Sequence, residues 1–172
     1  MTSAQLLADA FGRIRGVVHR VVDGLSGELL AFRADGESNS IAWLVWHLTR
    51  IQDDHVAGAA GHDQVWTSQG WSDRFGLPFD PAQTGYGHGR DDVAKVLVEP
   101  PLLLGYHEAV HDRTIRFVTG LADGDLDRIV DENWDPPVTL GVRLVSVISD
   151  GLQHAGQAAY VRGLAERRSI TR

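Results

Sequence analysis

Apolar residues recur at three- and four-residue steps in four stretches of the chain, the spacing that gives a helix one buried face. The first stretch runs from about Ser3 to Leu25, with Leu7, Phe11, Ile14, Val18, Val21 and Leu25 along one stripe and Thr2 or Ser3 placed to cap it. The second begins near Ser40 and reaches about Ala60, carried by Ile41, Leu44, Leu48 and Ile51. The third follows Pro100-Pro101, a pair that suits a helix start, and continues through Leu103, Tyr106, Val110, Thr114, Phe117 and Leu121. The fourth runs from about Thr139 to Arg167, with Leu140, Leu144, Val147, Ala158, Val161 and Leu164. Strand-like alternation is nearly absent. The pattern predicts an all-α fold, a four-helix bundle forming one domain over residues 1–172. Between the second and third helices, residues 62–90 form a long connection rich in Gly, Trp and Pro, followed by a short helix over 91–98. A connection of that length is expected to pack over an opening.

Three polar residues fall on the apolar faces. His47 has Leu44 one turn before it and Ile51 one turn after it. On the fourth helix, Val147, Asp150, His154, Ala158 and Val161 form one row, so Asp150 and His154 are expected to face inward together. A buried carboxylate is costly unless something pairs with it or coordinates it. Two His nitrogens and one carboxylate oxygen make a facial set for a divalent ion, with positions left open. On spacing alone the alternative stands beside it: Asp150 and His154 as a hydrogen-bonded pair, with His47 a satisfied core histidine.

Composition narrows the chemistry. There is no cysteine, which excludes disulfides, Cys-ligated metal and a Cys nucleophile, so any thiol must come from outside. The net charge of −7 argues against a general grip on nucleic acid or anionic membranes. No apolar run is long enough to span a bilayer, and the first residues lack the pattern of a signal peptide, so a cytoplasmic location is expected. Of the sixteen basic residues all but Lys95 are Arg, in keeping with a GC-rich bacterial source.

Other strings compete for attention. His107-Glu108-Ala109-Val110-His111 spells H-E-x-x-H, the zinc-peptidase arrangement, but His111 beside Asp112 and Arg113 reads as the wet side of its helix. Asp53-Asp54-His55 reads as a solvated face, since consecutive residues diverge around a helix. Trp43, Trp46, Trp66 and Trp71 read as core or as pocket walls. The run Gly85-Tyr86-Gly87-His88-Gly89 is no phosphate-binding loop of the P-loop kind.

Trp46-His47-Leu48 and Asp150-Gly-Leu-Gln-His154-Ala-Gly-Gln157 resemble the DinB-like superfamily of metal-binding four-helix bundles. Gly70-Trp71-Ser-Asp-Arg-Phe-Gly-Leu-Pro78, Thr84-Gly-Tyr-Gly-His88 and Leu104-Gly-Tyr106-His107 are similar to the actinobacterial branch that contains mycothiol S-transferases. The resemblance implies a divalent metal, usually zinc, held here by His47, Asp150 and His154, although many members carry His where this chain has Asp150. It implies activation of a low-molecular-weight thiol such as mycothiol for attack on an electrophile. Gln157 would then orient a ligand from behind, Trp43, Trp46, Trp71 and Tyr106 would line the substrate pocket, and a homodimer paired through helix faces is expected. A metal-dependent hydrolase and a non-catalytic metal-binding bundle are the alternative functions.

Overall fold

The structure, a computed structural model, describes the backbone of residues 1–170 and the side chains of residues 1–168. Among the described residues eight helices occur in the order α1 (Ser3–Val22), α2 (Gly27–Leu30), α3 (Ile41–Ala60), α4 (Val65–Ser68), α5 (Trp71–Phe75), α6 (Arg90–Val93), α7 (Pro100–Thr119) and α8 (Leu140–Ile170). A 3₁₀ turn, Asp123–Asp127, and a two-stranded antiparallel ribbon, β1 (Ile129–Asp131) with β2 (Val138–Thr139), precede α8. The four long helices close into a ring, in which α1 and α3 each pack against both α7 and α8.

The helix ends follow local chemistry. Thr2 caps α1 through the Gln5 amide while Gln5 reaches back to the cap, and Ser40 caps α3 through the amide of Trp43. α3 ends on Gly61 in the left-handed conformation, and α7 starts on its two prolines. α1 stops at Val22 rather than Leu25, because the chain turns through Gly24 at φ 73°; Leu25 stays buried in the turn.

The predicted stripes form the core. Leu7, Phe11, Ile14, Val18 and Val21 meet Leu103, Tyr106 and Val110 of α7 and Leu140, Leu144 and Val147 of α8, all buried. Each large aliphatic side chain so buried contributes about 2 kcal/mol. On α8 the row that enters the core differs from the expected one: it continues through Gly151, Ala155 and Ala158. Gly151 lies against Ile14 of α1, where a Cβ would come within 3.0 Å of the Ile14 side chain. This close approach rotates α8 so that Asp150 and His154 sit on its shoulder, half-buried, instead of facing the centre.

Residues 62–90 are more ordered than a plain connection. They carry α4 and α5, and the expected helix over 91–98 is the single turn α6. Asp53 explains the local fold. It is buried rather than solvated, and its two carboxylate oxygens accept the Val65 and Trp66 amides at 2.8 and 2.7 Å, capping α4 from below.

Candidate functional site

The α8 shoulder faces α3, and there His47, Asp150 and His154 converge with one ligand atom from each within 4.8 Å of the others. The ring of His47 stacks on Trp43, 4.6 Å between centroids and 15° between planes, and meets His154 edge-on at 4.8 Å. His47 is buried, while the side chains of His154 and Asp150 are 20% and 31% exposed, so the site opens along one side.

The hydrogen bonds decide the tautomers. His47 donates from Nδ1 to the Thr84 carbonyl at 2.6 Å, an acceptor with no proton of its own. His154 donates from Nδ1 to Oε1 of Gln157 at 2.9 Å. In the neutral forms both imidazoles therefore turn bare Nε2 lone pairs toward the site. Asp150 places Oδ1 3.4 Å from Nε2 of His154, and its buried Oδ2 has no hydrogen-bond partner. With both rings neutral, three acceptors share one small space, and a protonated His154 would donate from Nε2 to Asp150. Burial holds the His47 pKa below its ordinary value, against the pull of the Thr84 bond. Asp150 raises that of His154, with Gln157 adding to the effect.

Such a set suits a divalent cation. Ligand atoms around a tetrahedral ion lie about 3.4 Å apart, so small side-chain torsions would draw these three in. Outward Nδ1–H groups held by a carbonyl and an amide are the usual support behind metal-binding imidazoles. The orphaned Asp150 oxygen is the specific observation that a cation would satisfy.

The segment 81–88 builds the wall above His47. Gly85, at φ 94°, presses against the rings of Trp43, Trp46 and His47. His88 accepts the Trp43 indole N–H at 3.3 Å, donates toward Gln83 and lies parallel to Trp46.

A family model of the DinB superfamily matches residues 10–158. The chain belongs to the DinB superfamily. Among solved structures, a conserved protein from Enterococcus faecalis is 31% identical over 96% of this chain and 98% of its own, with a TM-score of 0.89. No curated protein matches the chain.

The remaining candidates of this DinB chain take other places. Trp43 lies on the His47 ring. Trp46 is buried behind it, between Trp66, Phe79 and His88. Trp71 and Tyr106 belong to a buried aromatic cluster with Trp66 and Phe75, and the Tyr106 hydroxyl donates to Asp53 at 2.9 Å. The H-E-x-x-H string lies on a partly solvated face of α7. His107 is fully buried with Nδ1 against Thr49 at 3.1 Å, and His111 is half-buried. Glu108 turns to α1, where it pairs with Arg15 and His19, so the string does not assemble as a zinc-peptidase set. Asp53 missed its expected solvated role, and Arg50, Thr84 and Gly85 were not anticipated. The glycines flanking Tyr86 were the one visible signal, marking a close backbone approach.

Proposed function

We propose that this DinB-superfamily chain is a divalent-metal-dependent thiol S-transferase, with zinc as the metal and a low-molecular-weight thiol such as mycothiol as the nucleophile. The supporting observation is the pair of imidazoles whose Nδ1 atoms meet Thr84 and Gln157, turning both Nε2 atoms toward Asp150, whose Oδ2 has no partner. His47, Asp150 and His154 would hold the ion. A divalent ion there supplies Lewis acidity that lowers the pKa of a thiol brought to it.

The chain's own residues supply the setting. Two neutral imidazoles and one carboxylate leave a net positive charge on a bound ion, which favours an anionic sulfur. Trp43 covers one face of His47 and keeps water from it. Gln157 fixes the His154 ring from the solvent side. In the transfer itself a C–S bond forms, the leaving group departs with its electron pair, and the thiol proton passes to solvent. A chain without cysteine has no competing thiolate of its own at the site.

Incubating the zinc-loaded protein with mycothiol and a panel of electrophiles, then reading products by mass spectrometry, tests this. S-conjugates that vanish on chelation are expected. Conjugation that survives chelation, or none with any thiol, overturns the reading.

A further inference from the structure

Arg50 is fully buried one turn beyond His47 on α3. Its guanidinium has one acidic neighbour, Asp53, at 3.8 Å, and lies over the Trp66 ring. It donates to the connection that crosses above, through the carbonyls of Pro81 at 3.2 Å and Gln83 at 3.3 Å and Oε1 of Gln64 at 2.7 Å, and to the Tyr106 hydroxyl of α7 at 3.4 Å. A buried guanidinium is costly, and beyond Asp53 and the Tyr106 hydroxyl of α7 its donors go to the connection. What it does hold is the backbone immediately before Thr84.

That location matters because a single peptide separates the Gln83 carbonyl, which Arg50 grips, from the Thr84 carbonyl, which takes the His47 proton. His47, Arg50 and Asp53 follow one another at three-residue steps, so one side of α3 carries the imidazole, the clamp on residues 81 and 83, and the cap of α4. Held at both ends, the connection keeps its Thr84 carbonyl fixed over Nδ1 of His47.

We infer that Arg50 is a positioning residue of the site: by clamping the carbonyls of Pro81 and Gln83 it sets the Thr84 carbonyl, and thereby holds His47 in the tautomer that leaves Nε2 bare. The inference rests on the reading of His47, Asp150 and His154 as ligands. His154 provides the internal reference, since its tautomer is held by Gln157 on α8 and owes nothing to the connection.

The test is ¹⁵N-resolved NMR of the imidazole nitrogens in metal-free protein, at a pH where both rings are neutral, with zinc affinity measured in parallel. Arg50→Lys keeps the charge beside Asp53 but lacks the planar fork needed to reach the several acceptors at once. In the wild type both histidines are expected as Nδ1–H. In Arg50→Lys, His47 is expected to become a mixture of tautomers while His154 stays unchanged, and zinc affinity to fall about 10- to 100-fold. His47 remaining wholly Nδ1–H, or both histidines changing together, overturns the inference. Should Arg50→Lys not fold, Arg50→Gln, which keeps an amide donor but cannot span both carbonyls, is read in the same way, and an unmoved His47 overturns the inference. Wild-type protein that binds no zinc refutes the ligand reading instead, and that result is separate from the tautomer readout.

Discussion

A Cβ placed on Gly85 would lie 2.9 Å from Nδ1 of His47 and equally close to the Trp46 ring. The backbone there has φ 94°, a conformation that favours glycine. The wall above the imidazole is therefore backbone brought to contact distance, and the adjacent Thr84 carbonyl can reach Nδ1 only because the side chain at position 85 is missing.

Gly85→Ala should lower the melting temperature and also the metal affinity, because the added carbon pushes the Thr84 carbonyl off the ring. Gly87→Ala is the control: it shares a positive φ, 79°, but has open space around its Cβ position. Backbone strain of about 1–3 kcal/mol is expected in both. Calorimetry and zinc titration should show melting affected in both variants and metal affinity only in the first; equal affinities would sink the role of Gly85.

Purified protein should carry about one divalent ion per chain, and His154→Ala should remove most of it. Elemental analysis checks this. Undiminished metal in the variant would place the ion elsewhere.

Asp150→Asn keeps the shape of the side chain but removes its charge. Metal affinity and thiol-dependent turnover should drop sharply. The metal-free melting temperature, taken above the pKa of His154, should hold or rise, because the variant no longer buries an unpartnered carboxylate oxygen. Thermal melts with and without chelator decide it. A wild-type melt indifferent to chelator, with a large fall in the variant, speaks for a plain hydrogen-bonded pair.

His107 is held down to a pKa of about 3, chiefly by burial, with His111 adding to the effect. In the unfolded chain it titrates near 6.5. Protons then bind the unfolded state more readily, so stability is full above about pH 6.5 and is lost as pH falls toward about 3, by up to about 1.4 kcal/mol per pH unit. His107→Leu should flatten this limb. Urea unfolding at pH 6, 5 and 4 gives the slope, and an unchanged slope would show that other groups carry it.

The four apolar stripes and their caps were legible along the chain because helix periodicity and capping are local: Phe11, Leu44, Leu103 and Leu144 announce their burial through neighbours three and four residues away. His47 and the Asp150–His154 pair stood out for the same reason, as polar residues interrupting those stripes. The rotation of α8 was decided by tertiary contact, since only the fit of Gly151 against Ile14 determines which row points to the centre and which lies on the shoulder. Periodicity also could not show that Asp53, flanked by polar residues, is buried; its carboxylate meets amides twelve and thirteen residues later, a pairing no local pattern encodes. The tautomers of His47 and His154 differ likewise in origin. Gln157 lies three residues from His154, within reach of local reasoning, whereas Thr84 comes to His47 across 37 residues, through a backbone carbonyl that every residue possesses and that only the folded chain selects.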